Sequence, residues 1–246
     1  VTGPSTPMVS LCFAPELWLF LRKRHRREPV RAVHDGTASL GHLVQSLGVP
    51  LTEVGSLEVA GRRVGQDHRP RGGDLVRVTP VPRPQRAPSS CFLLDVHLGA
   101  LARRLRLLGV DTAYRNDLDD DELVVRANAE RRILLTKDRG LLCRRALWLG
   151  AYVRGSGPDE QLADVLERFA PPLAPWSRCT ACNGLLVPVA KQEVEVLLRP
   201  GTRRTYDSFA RCRACGHVYW DGAHHRHLET IVAAALGDSG RSEGGN

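Results

Sequence analysis

The sequence predicts an α/β protein in three parts: a central parallel sheet covered by helices on both faces, a small mixed αβ domain before it, and a cysteine-paired module after it. Three observations predict this. Between residues 91 and 172, short apolar strands alternate with amphipathic helices, and strands that are apolar throughout belong to a sheet buried on both faces. Pro80, Pro82, Pro84 and Pro88, then Pro171, Pro172 and Pro175, punctuate the chain as stiff connectors. Four of the seven cysteines form two Cys-x-x-Cys pairs. The expected parts are residues 1–88, 89–172 and 173–236, with a Gly/Ser/Glu-rich flexible tail over 237–246.

The first part reads as strand Val9–Phe13, an anchor at Pro15–Leu21, strand Val30–His34, and a helix over Ser39–Leu47 capped by Thr37. In that helix Leu40, Leu43, Val44 and Leu47 keep the 3.6-residue period. Val54–Val59, a turn at Gly61, and Val76–Val78 complete a mixed sheet.

The central part opens on strand Phe92–Leu94, which ends at Asp95. A helix follows with Leu98, Leu101, Leu105 and Leu108 on one face and Arg103, Arg104 and Arg106 on the other. Gly109 ends it and Val110–Tyr114 is the next strand. Asp120 or Asp121 begins a helix to about Glu130, and strand Ile133–Leu135 runs on to Thr136 and Asp138. A helix around Leu141–Leu149, strand Ala151–Val153 and helix Glu160–Phe169 finish the alternation.

In the last part, Cys179/Cys182 and Cys212/Cys215 each offer two sulfurs, and two such pairs complete tetrahedral coordination of one Zn²⁺. Asn183-Gly184 and Gly216 supply the tight turns after each pair. Val194–Leu198 and Thr205–Phe209 are expected as strands around Arg199-Pro200-Gly201. Four sulfurs leave no open position, so the zinc is expected to be structural. Redox dithiols are the competing reading, and His217 is a competing ligand. An odd cysteine count with three scattered members argues against a secreted disulfide framework.

The 246 residues carry 35 Lys or Arg and 27 Asp or Glu, a formal net charge of +8. That total is uneven: residues 1–90 carry +6, residues 91–172 carry zero, and residues 173–246 carry +2. A basic balance suits an anionic partner. With 42% apolar residues and 25% charged, a wholly disordered chain is excluded. No apolar run is long enough to span a membrane. The apolar stretch near Glu16 precedes Arg22-Lys23-Arg24, the reverse of a secretory signal, so the expected location is cytoplasmic. The basic run Arg22–Arg27 is a candidate nucleic-acid patch, with a solvated loop as the alternative. His224-His225-Arg226-His227 reads as a surface cluster.

Asp95 and Asp138 follow two different strands, at the carboxyl edge where open parallel sheets place their sites. Asp120 and Asp121 open a helix facing the same edge. Carboxylates from three turns repel one another unless a cation offsets them, and hard oxygen ligands suit Mg²⁺ or Mn²⁺. Such ions activate water and stabilise the oxygens of an in-line phosphoryl displacement. Singly, each acid also reads as a cap or turn residue. No dinucleotide, phosphate-loop or serine-elbow motif is present.

The segments FLLDVHLGALARRLRLLGVDTAYRND from Phe92 and DDELVVRANAERRILLTKDRGLL from Asp120, with the two cysteine knuckles, resemble the Mut-seven C-terminal family. That family joins a PIN-like ribonuclease domain to a zinc ribbon, and bacterial members often carry a ubiquitin-like domain in front. The resemblance covers residues 8–228. It implies a divalent-metal-dependent ribonuclease that hydrolyses RNA phosphodiester bonds, with Asp95, Asp120 and Asp138 holding Mg²⁺ or Mn²⁺. The PIN pattern also has a glutamate between the first two acids, and no Glu lies between Asp95 and Asp120. Asp117, Asp121 or Glu122 stands in its place, with Asp117 and Asp121 as auxiliary ligands.

Arg115, Lys137 and Arg139 are the nearest candidates for backbone phosphates. On the ribbon, Arg178, Lys191, Arg203, Arg204, Arg211 and Arg213 guide a strand. Tyr206, Phe209, Tyr219 and Trp220 serve either as stacking platforms or as the ribbon's small core.

The first block is similar to a ubiquitin-like β-grasp domain of the sulfur-carrier type, through Gly48-Val49-Pro50, Val59–Val64 and Gly73–Val78. It runs on through Pro80 instead of ending in a free Gly-Gly, which implies an accessory role toward a ribosome or another protein. The alternatives are a non-catalytic RNA- or ribosome-binding module on a degenerate PIN-like fold, and a sulfur-transfer or conjugation adaptor. Oligomeric state is not legible.

Overall fold

The computed structural model describes residues 8–34, 36–220 and 230–233. The His224–His227 cluster and the 237–246 tail lie outside the described residues.

The N-terminal block is a five-stranded mixed sheet over one helix. Its elements are β1 (Met8–Phe13), β2 (Val30–Val33), α1 (Leu40–Ser46), β3 (Val54–Val59), β4 (Arg62–Val64) and β5 (Leu75–Pro80), in the order β2-β1-β5-β3-β4. β1 and β5 pair in parallel, and the other neighbours are antiparallel. Val9, Leu11, Val76 and Val78 alternate inward onto Leu40, Leu43 and Val44 of α1. That is the period of two meeting the period of 3.6. The cap of α1 is Ser39, which accepts from the His42 amide at 3.3 Å, so the expectation for Thr37 is corrected. Ser39 stands immediately before the first helical residue, where a cap must stand.

The central block contains β6 (Phe92–Leu94), α2 (Gly99–Leu107), β7 (Thr112–Tyr114), α3 (Asp120–Ala129), β8 (Ile133–Thr136), α4 (Arg139–Leu142), β9 (Gly150–Tyr152) and α5 (Pro158–Phe169). The sheet order is β7-β6-β8-β9. β6 is parallel to both β7 and β8, and Leu94 stands level with Tyr114 and Leu135. Phe92, Leu93 and Leu94 are fully buried, and the Phe92 ring meets Phe169 of α5 edge-on at 5.2 Å. α2 and α5 are tied at the surface by Arg104 and Asp159, 2.8 Å apart.

Two expectations fail here. The helix expected around Leu141–Leu149 is a single turn ending at Leu142. Continued helix would have placed Arg145 on the stripe of Leu141 and Leu142, which breaks the apolar face. Arg106, expected on the polar face of α2, is 3% exposed.

The C-terminal block has a three-stranded antiparallel sheet, β10 (Leu186–Val189), β11 (Phe209–Cys212) and β12 (Val218–Trp220), with α6 (Lys191–Val194) and α7 (Pro200–Thr205) between β10 and β11. Val194–Leu198 and Thr205–Phe209 are therefore not the strands expected. Pro200 is the first residue of α7, a position that uses its fixed φ and needs no N–H. Glu193 accepts from the Ala190 amide at 3.0 Å and closes the start of α6. Val194, Leu198 and Phe209 form the ribbon's core, with Tyr206 and Val218 packed on it.

The chain divides into two compact units, Val1–Gln85 with Thr136–Tyr152, and Arg86–Leu135 with Val153–Asn246.

Candidate functional site

The four cysteine sulfurs gather within 4.8 Å of one another. Cys179 and Cys215 are 3.7 Å apart, and Cys182 and Cys212 are 3.4 Å apart. A tetrahedron with zinc–sulfur bonds of about 2.3 Å has edges of roughly 3.8 Å, so the donor set fits one Zn²⁺.

The two knuckles repeat one geometry. The Asn183 amide donates to the Cys179 carbonyl at 2.9 Å, and the Gly216 amide donates to the Cys212 carbonyl at 3.0 Å. Both donors hold positive φ, +73° and +75°. Gly184 has no room for a side chain: a Cβ there would lie 2.8 Å from the Cys212 sulfur.

Burial pushes the Cys212 thiol up, but the Cys215 and Ala214 amides outweigh it and bring its pKa to about 7. Burial and the neighbouring sulfurs push Cys182 up to about 12. The Tyr219 hydroxyl lies 3.0 Å from the Cys179 sulfur and 3.2 Å from Thr180 Oγ1. Tyr219 thus backs the metal site, and Phe209 is core. Trp220 stays 40% exposed.

The ribbon is fastened to the α2–β7 turn. Arg106 donates from Nε to the Thr112 carbonyl at 2.8 Å, and from Nη1 to the carbonyls of Thr180 (3.1 Å) and Ala181 (2.7 Å). Burial pushes this guanidinium's pKa down, opposed by the charge of Cys182 and Cys179. Asp111 accepts from Arg132 at 2.6 Å and from the Asn183 side chain at 2.9 Å, and pairs with Arg178 at 3.0 Å. Burial raises the Asp111 carboxyl, but these partners outweigh it and hold it below its ordinary value. Gly109, at φ +80°, lets the backbone pass against Ala174, whose carbonyl a Cβ would strike. Arg178, expected to guide RNA, also donates to the carbonyls of Gly109 at 3.3 Å and Asn183 at 3.0 Å.

The carboxyl ends of β7, β6 and β8 are followed by Asp117, Asp95 and Asp138 respectively. Asp95 is 5% exposed. Its Oδ1 accepts from the His97 amide at 3.1 Å, and its own amide donates to Leu135 at 3.0 Å. The Tyr114 hydroxyl donates to the Val96 carbonyl at 2.9 Å and closes the turn after Asp95. Gly99 leaves space for that ring.

Asp138 is exposed and caps α4, its Oδ1 accepting from Gly140 (2.6 Å) and Leu141 (3.2 Å). Thr136 Oγ1 accepts from the Asp138 amide at 2.9 Å, which is the local reason for the Thr-x-Asp spacing. Asp120 and Asp121 are exposed on the first turn of α3. The cap of that helix is Asp119, which accepts from the Glu122 amide at 2.8 Å while Glu122 accepts from the Asp119 amide at 3.0 Å. Asp120 is the first residue of α3, as expected, and the capping-box signal in Asp119-Asp120-Asp121-Glu122 puts the cap at Asp119 rather than at Asp120 or Asp121.

Asp117 is closed by Arg115 through two bonds of 2.9 and 2.6 Å, and that guanidinium holds its carboxyl below the usual range. The capping acids use one oxygen each toward the backbone, and a carboxylate has about four lone-pair sites, so capping and metal ligation are compatible. Among the described residues the four cysteines are the one group of three or more metal-ligating side chains gathered so closely, and no three carboxylates are.

The candidate phosphate contacts differ in their engagement. Arg139 donates to the Phe20 (3.1 Å) and Leu19 (2.6 Å) carbonyls and lies 5.2 Å over the Phe20 ring. Arg203 is 3.5 Å from Glu195. Lys191 is bonded to Asp207 at 2.8 Å. Lys137, Arg204, Arg211 and Arg213 are exposed.

Among the described residues no helix is long and apolar enough to cross a membrane. No curated protein and no solved structure matches the chain. Two family models do: the Mut7-C ubiquitin domain over residues 6–86 and the Mut7-C RNAse domain over residues 90–232. The second spans more than half of the chain, with the parallel sheet, Asp95, Asp120, Asp138 and all four cysteines inside it, and the chain therefore belongs to the Mut7-C RNAse domain family.

Proposed function

We propose that this protein hydrolyses RNA phosphodiester bonds with the help of Mg²⁺ or Mn²⁺. The observation that carries the reading is Asp95, a carboxylate 5% exposed at the carboxyl end of β6, the strand flanked in parallel by β7 and β8 inside the RNase-domain match. Asp95, Asp120 and Asp138 would hold the ion, with Asp117 and Asp121 beside them. The ion, when bound, would supply an activated water and charge stabilisation for an in-line displacement. The Asp95 turn, pinned by its own cap and by Tyr114, holds a carboxylate in place at the sheet edge. Lys137 and Arg115 supply positive charge for the backbone phosphates, and Arg203, Arg204, Arg211 and Arg213 of the ribbon extend that path. The zinc holds the ribbon's fold and takes no part in the chemistry.

The working division is 1–88 as an accessory ubiquitin-like part that engages a ribosome or another protein, 89–172 as nuclease, and 173–236 as ribbon, acting on RNA in the cytoplasm. The dispersed carboxylates favour one second reading, a non-catalytic RNA- or ribosome-binding module.

The test is cleavage of unstructured RNA by the zinc-loaded chain with added Mn²⁺. The D95N/D138N double variant should abolish it. Cleavage undiminished in that variant would assign the activity to another centre. RNA binding without cleavage by the parent would select the second reading.

A further inference from the structure

Within the first compact unit, a cleft of about 510 Å³ is walled by two distant stretches of sequence. One wall is His42 and Gln45 of α1 with Gln66 and Asp67. The other is the loop after α4, including Arg144, Arg145 and Trp148. Gln45 Nε2 joins the walls, donating to the Cys143 carbonyl at 3.5 Å. The volume lies in the range of small-ligand sites.

The lining is unlike a core. Two guanidiniums and an imidazole face one carboxylate, with two side-chain amides and one indole. Arg145 is exposed, and its guanidinium makes no ion pair among the described residues. A cationic rim with an aromatic platform is the composition that takes a nucleotide: a flat ring stacks on the indole and the phosphate meets the arginine. The amides of Gln45 and Gln66 each donate and accept, as the edge of a base requires.

We propose that this cleft binds one nucleotide of a single-stranded RNA, its base against Trp148 and its phosphate at Arg145. The proposal rests on the RNA reading above and gives the ubiquitin-like part a definite task, one wall of a substrate groove. It also accounts for the break in helix at Cys143, which frees Arg144–Leu149 to line the cleft.

The experiment titrates a short end-labelled oligoadenylate with the full-length, zinc-loaded D95N chain, so that the probe survives, and follows tryptophan fluorescence for the stacking and anisotropy of the label for the affinity of every variant. Binding should quench the tryptophan fluorescence. W148L should remove most of the quench and weaken binding about tenfold, whereas W148F, which keeps a ring, should still bind. R145E should weaken binding and flatten the slope of log affinity against log salt by about 0.7. Arg145 is exposed, so this variant keeps the test decisive should W148L fail to fold. Parental affinity and salt slope in R145E, with full zinc content, would overturn the proposal. A parent chain that cleaves no RNA but whose Trp148 is quenched would overturn the hydrolysis reading and leave the cleft standing.

Discussion

Asn183 holds Asp111 by its side-chain amide at 2.9 Å, and with the same group's oxygen accepts the Thr112 amide at 3.0 Å. The residue that turns the first zinc knuckle therefore also clamps the start of β7. Replacing it separates two roles. Asn183→Gly keeps the positive φ but leaves the buried Thr112 amide without a partner, at a cost of about 2 kcal/mol. Asn183→Ala should lose roughly 1 kcal/mol more, because a Cβ disfavours that backbone region. Urea unfolding of the zinc-loaded variants measures both, and equal stability of the two would remove the backbone part of the argument.

Asp111 makes the same junction sensitive to acid. Its folded carboxyl lies below the ordinary 3.8, so its contribution is complete above that pH and is lost as pH falls through the depressed folded value. D111N should lower stability at neutral pH by about 2 kcal/mol and flatten the stability curve below pH 3.8. Parallel acid titrations of D111N and parent, followed by near-ultraviolet dichroism, would expose a mistaken sign.

Arg106 links metal and sheet through three carbonyls. Arg106→Met should destabilise the chain on the order of 3 kcal/mol and loosen zinc as well, because Thr180 and Ala181 lie between the first two ligands. Arg106→Lys keeps the charge but not the planar fork, and should recover only part of each loss. Competition for zinc with a chromogenic chelator is the readout. Unchanged zinc affinity in Arg106→Met would mean that the knuckle needs no support from α2.

Asp138 carries a cap and, in the proposed function, a ligand. Asn caps as well as Asp, so D138N should retain stability yet lose RNA cleavage. D138A should lose cleavage and about 1 kcal/mol besides. Thermal unfolding beside a cleavage assay separates the two, and full cleavage by D138N would restrict Asp138 to capping.

The parallel sheet was legible because Phe92–Leu94 and Ile133–Leu135 are unbroken apolar triplets, and two-sided burial leaves that trace. The zinc site was legible from spacing, since a metal needs four sulfurs and little else. The ribbon's insertion was not. Val194, Val196 and Leu198 alternate like a strand, but Val196 is 90% exposed while Val194 and Leu198 are buried, so the three do not share one face. Arg106 was misplaced for a related reason: periodicity sees charge and assigns it to water, while two of the three carbonyls that hold it come from residues more than seventy positions away. For the acids, position at the sheet edge was legible, whereas Arg115 closing on Asp117 depends on rotamers that no spacing rule reports.

Glu53, 1% exposed, accepts the Tyr152 amide at 2.8 Å, while Arg139 rests on the carbonyls of Leu19 and Phe20. Both partners of the ubiquitin-like block come from inside the RNase-domain match. An expression clone begun at the proline linker would strip Arg139 and Tyr152 of these bonds and bare the apolar ground beneath them. The boundary between the two family matches is thus not the boundary of the first compact unit, which takes in Thr136–Tyr152, and a cut at the proline linker divides that unit.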